Sequence, residues 1–249
     1  MKRTAQLGYS AIHSDVYFGQ GNRERKALTI VAILQDYLGE KLKQSNILDV
    51  GASTGYIDNV LADFSASVEG LDIDEGAINF ANETFNKKNL TFKSSDALDL
   101  NYEDDSFDVI ICNHVYEHVI DDKVLMSEIY RVLKKSGVCF FTAGNRNCLV
   151  EPHYKLPLLS VMPRALAHIY MRIMKKGNFY HEKHRSYWGL RKLVKDFGYK
   201  DYTQEIVSKP QVYKVDYMIR QGSFKQRVAI SICKYFFWLC PTYVWVLKK

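Results

Sequence analysis

The residues of this chain best suited to hold a ligand are one acid and two glycines, Asp49, Gly51 and Gly55, within Asn46-Ile47-Leu48-Asp49-Val50-Gly51-Ala52-Ser53-Thr54-Gly55. Ile47, Leu48 and Val50 read as a buried strand. The glycines of the following turn let a ligand lie against bare backbone where a β-carbon would stand in its way. A second short strand, Val68-Glu69-Gly70-Leu71-Asp72, ends in an acid about twenty residues past the glycines, where a ribose diol needs a bidentate acceptor. Asp49 then decides which nucleoside fits. A dinucleotide turn, G-x-G-x-x-G, brings a helix N-terminus to a pyrophosphate, which an acid inside the motif would repel. This turn suits a ligand with a cationic amino-acid end.

Base chemistry falls to histidine. The continuous apolar run Phe107-Asp108-Val109-Ile110-Ile111-Cys112-Asn113 reads as a strand buried on both faces of a parallel sheet, and it leads directly into His114-Val115-Tyr116-Glu117-His118. His114 therefore falls at the carboxyl edge, where open α/β sheets bind their ligands, and is the first candidate for a general base. His153 and His181, from the segment after the fifth strand, are the next. A single histidine is more often structural than catalytic, but His114, His118, His153, His181 and His184 all fall in segments expected near one rim.

The elements that must position these residues alternate strand and helix, which predicts an α/β, doubly wound domain. Val124 to Leu133 reads as an amphipathic helix started by Asp121 and Asp122 and stopped by Gly137, with a strand over Val138 to Thr142. At 249 residues and 47% hydrophobic, the chain can bury one large core. We read a single domain over 1–249, with a cofactor-binding core at 25–145, a substrate-recognition insertion at 146–190, and an amphipathic helix and last strand at 223–249. The prolines of Glu151-Pro152-His153-Tyr154-Lys155-Leu156-Pro157 prevent a continuous helix there, and this segment is expected to fold over the site. Arg164 to Met174 has an apolar and basic helical pattern that suits a lid or an interfacial helix. Ser186 caps a helix expected over Tyr187 to Phe197 and closed by Gly198, and a helix over 224–240 precedes a strand over 242–247.

Asp49-x-Gly51-x-Ser53-x-Gly55 closely resembles motif I of the class I S-adenosylmethionine-dependent methyltransferases, D/E-x-G-x-G-x-G, with Ser53 in place of the middle glycine. Ser95-Asp96-Ala97 matches the position where that family usually reads the adenine, and His114-Val115-Tyr116-Glu117-His118 is similar to the region after strand four in ubiquinone-biosynthesis-like members. The resemblance covers roughly residues 25 to 145 in order and spacing. It implies a mostly parallel, seven-stranded, Rossmann-like sheet with an antiparallel last strand, and S-adenosyl-L-methionine as cofactor. It also implies cofactor-binding roles for Asp49, Gly51, Ser53, Gly55, Asp72, Ile73, Asp96, Ala97 and Asn113. In some quinone-pathway relatives two Glu and a His after strand four hold a divalent metal; here His114 replaces the first acid, so no metal is expected. The Glu-Pro-His-Tyr and Leu-Pro-Leu-Leu stretches of the insertion look like those of bacterial methyltransferases of surface-polysaccharide biosynthesis. That likeness implies methyl transfer to a hydroxyl of a sugar or lipid-linked glycan precursor. An RNA methyltransferase would use the basic C-terminal half, but Asn113-His114-Val115-Tyr116 lacks the N/D-P-P-Y prolines. A non-catalytic S-adenosylmethionine-binding protein that only retains the fold is the remaining alternative, and the intact Asp49, Gly51, Gly55 and Asp72 argue against it.

Charge is divided along the chain. Residues 151–249 hold 19 Lys plus Arg against 6 Asp plus Glu, a net of +13, so the total of +6 leaves −7 for residues 1–150. A basic half of this kind points to an anionic partner, and an anionic membrane surface is the one the tail favours. Val228 to Cys240 is rich in aromatics, but Lys234 and Pro241 interrupt it before the ~20 apolar residues that a span requires. Met1-Lys2-Arg3-Thr4-Ala5-Gln6 has no apolar leader core, which predicts a cytoplasmic protein, peripheral at the inner face of the membrane if the tail helix touches lipid. Five cysteines with no C-x-x-C pair fit reduced thiols and disfavour a zinc cluster.

Overall fold

The computed structural model describes residues 20–249; the N-terminal stretch on which the leader reading rests lies outside them. Helix α1 (Gln20–Leu38) precedes β1 (Asn46–Val50), α2 (Tyr56–Leu61), β2 (Ser67–Asp72), α3 (Glu75–Thr84), β3 (Leu90–Ser94) and β4 (Phe107–Asn113). Helix α4 (Asp122–Val132) leads into β5 (Leu133–Gly144), and the insertion carries α5 (Arg164–Ile173). The chain closes with α6 (Tyr187–Leu193), β6 (Gly198–Asp201), α7 (Thr203–Ser208), α8 (Phe224–Tyr235) and β7 (Thr242–Lys248).

The seven strands form one sheet in the order β3-β2-β1-β4-β5-β7-β6. Strands β1 to β5 pair in parallel, while β7 runs antiparallel to both β5 and β6. This is the expected doubly wound, mostly parallel sheet with an antiparallel last strand. Alternate residues of each strand feed two cores, one on each face. Ile47, Val109, Ile111, Val138 and Phe140 pack with α1, α2 and α3, and Leu48, Ile110, Cys112, Cys139 and Phe141 with α4 and α6. A third, small core of Leu156, Leu159, Ala167, Met171 and Tyr180 belongs to the insertion itself. All five cysteines are free and buried.

Three boundaries differ from the sequence expectation. Gly137 does not stop a helix but lies inside β5, because that strand begins at Leu133 and its register shifts between the Leu133–Phe107 and Val138–Val109 pairs. Gly198 opens β6 instead of capping α6, whose last turn closes at Leu193, since Gly198 is needed opposite Lys248 in the sheet. The tail helix ends at Tyr235, and Phe237–Leu239 make a 3₁₀ turn that carries the chain into β7.

That turn divides the aromatic tail. Phe237 packs against the rings of Tyr187 and Tyr243, with centroids 5.4 Å away in each case, whereas Phe236 is exposed. Among the described residues no helix is long and apolar enough to cross a membrane. A carboxylate at position 237 would be trapped among rings without a partner. Phe237→Asp is therefore expected to lower unfolding free energy by several kcal/mol, and Phe236→Asp by less than ~0.5 kcal/mol, in urea melts.

Candidate functional site

Strands β1 and β4 are neighbours whose connections leave in opposite directions, so a crevice opens outside their carboxyl ends. The turn after β1 forms one wall. Gly51 has a φ of +143°, and a β-carbon there would stand 2.5 Å from Cγ2 of Val115, in the turn after β4. Gly55, at φ +75°, starts α2, and its β-carbon would stand 2.6 Å from Cζ of Phe92. Both positions require glycine by conformation and by contact.

Asp72, at the end of β2, accepts the Ser53 N–H at 2.9 Å with one oxygen and the Asp74 N–H at 3.0 Å with the other. Burial raises its pKa against the pull of these two bonds. Each oxygen keeps a further lone pair for a diol. Ile73 follows, half-buried. Asp96 accepts the Leu98 N–H at 3.0 Å, and Ala97 packs against the core. Asn113 at the end of β4 accepts the Thr142 hydroxyl at 2.7 Å, a bond that ties β4 to β5.

Asp49 is not alone in its burial. Asp58, on the first turn of α2, lies beside it, and both side chains are buried. Two buried acids side by side disfavour a second negative charge. Burial is the main cause that lifts both, with repulsion from Asp72 added, and Asp58 is pushed up to about 7. Asp49 Oδ1, both carboxyl oxygens of Asp58 and Ser53 Oγ are buried without a hydrogen-bond partner among the described residues. A bare glycine turn, unused polar atoms and a pair of buried acids fit a nucleoside that ends in an ammonium group.

Across the crevice, the backbone after β4 turns sharply, with His114 at φ +58°. Nδ1 of His114 lies 3.0 Å from Oε1 of Glu117. Glu117 is 1% exposed. Burial would raise its carboxyl, but the His114 hydrogen bond and the charges of His114, His118 and His184 hold it at about 2. His118 is pushed down by burial and stands edge-on to His153, with ring centroids 5.3 Å apart. Nδ1 of His153 lies 2.7 Å from Oε1 of Glu151, and Nε2 of His184 lies 3.3 Å from the same oxygen. Burial disfavours charge on His153, yet its bond to Glu151 and the charges of Glu151, Glu182 and Glu117 raise its pKa. The structure thus brings together His114, His118, His153 and His184. His181 is exposed, and its ring packs against Phe179 at 6.0 Å.

Four residues of this arrangement escaped the motif reading. Asp58 looks like any acid in the first turn of a helix. Glu151 and Glu182 stand two residues before His153 and His184, an i, i+2 spacing that means little until a loop folds them together. Tyr116 bridges two segments, donating to the Gly144 carbonyl at 2.5 Å and accepting the Arg185 N–H at 3.1 Å. Its burial beside charged residues was the only signal.

Residues 48–141 match the family profile described as a methyltransferase domain. The chain is 32% identical over 108 residues to a ubiquinone biosynthesis O-methyltransferase of Coxiella burnetii, covering 43% of this chain and 46% of that one. It is 34% identical over 129 residues to a ribosomal protein L11 methyltransferase of Dictyoglomus thermophilum, covering 51% and 40%. The chain spans about half the length of the curated relatives it matches. An S-adenosylmethionine-dependent methyltransferase from Mesorhizobium loti shares the fold, with a TM-score of 0.55 at 17% identity, over 88% of this chain and 98% of that one. Residues 48–141 thus match a methyltransferase domain, the sheet has the class I methyltransferase order, and the match implies S-adenosyl-L-methionine as the cofactor.

The Asp49–Asp58 pair makes stability depend on pH. Both carboxyls have folded pKa values above the unfolded one, so their contribution is complete below about pH 4 and is lost as pH rises through the folded values. In protein without cofactor the melting temperature is expected to fall between about pH 5 and pH 8 for this reason. Asp58→Asn removes one of the two titrating acids and should flatten that window; an unchanged slope in thermal melts would exclude the pair as its cause.

Proposed function

We propose that this protein methylates a hydroxyl of a sugar or lipid-linked glycan precursor, with His114 as the general base. The observation that carries this reading is the 3.0 Å contact between His114 Nδ1 and the buried Glu117 carboxylate, at the carboxyl end of β4. S-adenosyl-L-methionine supplies an activated methyl group for in-line displacement by an aligned nucleophile. The residues of this chain do the rest. Asp72, Ser53 and Asp49 hold the cofactor across the glycine turn, and fixed alignment is worth up to ~7 to 11 kcal/mol of barrier. A carboxylate on Nδ1 keeps the proton there, leaves Nε2 as the basic nitrogen and stabilises the imidazolium that forms when the hydroxyl gives up its proton. The O-methyltransferase among the relatives supports an oxygen acceptor.

A lipid-borne acceptor is supported by the outer face of the insertion. Ala167 and Met171 of α5 turn inward to its small core, while Leu166, Ile169 and Ile173 lie exposed on the opposite side. Exposed Arg172, Lys175 and Lys176 flank that apolar stripe. Apolar and basic side chains on one exposed helix are the composition of a helix that lies in an anionic membrane surface. In this reading the insertion, more than the C-terminal helix, meets the cytoplasmic leaflet.

The test is methyl transfer from labelled cofactor to nucleotide sugars, lipid-linked sugars and bulk RNA. Label on a sugar hydroxyl is expected, and His114→Ala should lower turnover by at least ~10² with cofactor affinity unchanged. Label only on RNA, or full turnover in that variant, would sink the reading. For the membrane, the protein should cosediment with vesicles containing phosphatidylglycerol at low salt, and Ile173→Asp should release it without changing the thermal melt. Equal binding of both proteins would remove the α5 face from this account.

A further inference from the structure

Three buried carboxylates face four imidazoles beneath the insertion, and this balance is unusual. Glu117, Glu151 and Glu182 are exposed by 1%, 0% and 3% respectively. Among the described residues none of the three pairs with a lysine or an arginine; Glu117 and Glu151 have ionic contacts with histidine alone, and Glu182 accepts from the Tyr154 hydroxyl. A buried carboxylate needs a compensating positive charge. Imidazoles supply one only when protonated, whereas a metal ion supplies it at any pH where the ligands are free of protons.

Glu151, His153 and His184 have the geometry for such an ion. Their ligand atoms all lie within 4.8 Å of one another. Both imidazole nitrogens approach a single oxygen of Glu151, His153 Nδ1 at 2.7 Å and His184 Nε2 at 3.3 Å. Donors about 2.0 to 2.1 Å from a tetrahedral zinc stand roughly 3.3 Å apart, so small shifts would admit the ion. The supporting contacts are in place. The Tyr154 N–H donates to Oε2 of Glu151 at 2.7 Å and fixes that carboxylate, and the Tyr154 hydroxyl donates to Glu182 at 3.2 Å. The His184 side chain is 1% exposed, and its Nε2 is the nitrogen turned to Glu151. Gly144 makes room for this ring, since a β-carbon there would stand 2.9 Å from Nδ1. The His153 side chain is 27% exposed, which leaves solvent access for entry and for a further ligand.

We propose that Glu151, His153 and His184 bind a divalent transition-metal ion of the zinc type, which clamps the insertion to the segment that runs beside the end of β5. Two imidazoles and one carboxylate form a set that zinc accepts with a position left open, and that calcium and magnesium, which prefer oxygen, do not. The clamp joins residues 31 positions apart in sequence, the distance from His153 to His184. It goes beyond methyl transfer and is independent of which group acts as base, because His114 and Glu117 are not among its ligands. A second set, Glu117, His118 and His153, also lies within 4.8 Å and shares His153. In the first set both imidazoles already approach one carboxylate oxygen, and the test separates the two.

The full chain, stripped with chelator, is titrated with zinc chloride by calorimetry, with bound metal counted after dialysis. One zinc per chain is expected, with a rise in melting temperature that chelator reverses. Cobalt(II) in its place should give the absorption bands of a tetrahedral nitrogen and oxygen site. His184→Ala and Glu151→Gln should each weaken zinc binding by at least about tenfold, while His118→Ala changes it little. Wild-type protein that binds no zinc overturns the proposal whatever the variants do. Binding that survives His184→Ala and is lost with His118→Ala overturns it too. Near-ultraviolet circular dichroism of each variant shows that it is folded, and Glu151→Gln serves in place of His184→Ala if the latter is not.

Discussion

The turn after β1 and the turn after β4 touch through Gly51 and Val115, and the site depends on that contact. With no β-carbon at 51, the Val115 side chain lies over the glycine backbone and closes the two turns to van der Waals distance. Val115 is held there by its neighbour, since the left-handed backbone of His114 reverses the chain as it leaves β4. The same reversal lays the His114 ring on Glu117. One steric vacancy therefore fixes the cofactor wall and the imidazole–carboxylate pair relative to one another. A left-handed conformation is costly for a residue with a side chain. The His114 N–H, bonded to both the backbone carbonyl and the hydroxyl of Thr142, and the buried Glu117 stabilise it.

Electrostatics divide the crevice in two. On the cofactor side, three acids crowd together; burial raises the carboxyls of Asp49 and Asp58, and two N–H groups donate to Asp72. On the opposite side, acids are balanced by histidines. The excess of lysine and arginine in residues 151–249 does not reach these carboxylates: Arg164 donates to the carbonyls of Tyr180, His181 and Glu182, and Arg185 pairs with Asp122. The basic half thus braces the insertion and covers its outer surface, leaving the interior to groups whose charge responds to ligands.

Local features of this arrangement were legible in the sequence. Asp49, Gly51, Gly55 and Asp72 could be found because a strand, a turn and a second strand fix them within one short supersecondary unit. The antiparallel β7 was also foreseeable. Gly137 and Gly198 were misread because a glycine at the end of a helical pattern looks the same whether it caps the helix or sits in the next strand; sheet register decides, and register is not local. The Glu151–His153–His184 cluster was half visible, as histidines without their carboxylates. Its members come from two segments that Tyr116, the Asn145–Arg185 bridge and Arg164 bring side by side.

The placement of the tryptophans has a practical side. All three, Trp188, Trp238 and Trp245, lie in the last quarter of the sequence, and the glycine turn has none. Trp188 and Trp238 are exposed and stacked, with ring centroids 6.3 Å apart, while Trp245 is sealed beneath Tyr199 and Phe141. Intrinsic emission accordingly divides into a solvent-relaxed pair and a shielded single fluorophore. A quencher in solution reaches the pair and spares Trp245. Light from this protein reports on its C-terminal face separately from its core, with no fluorophore of its own at the cofactor turn.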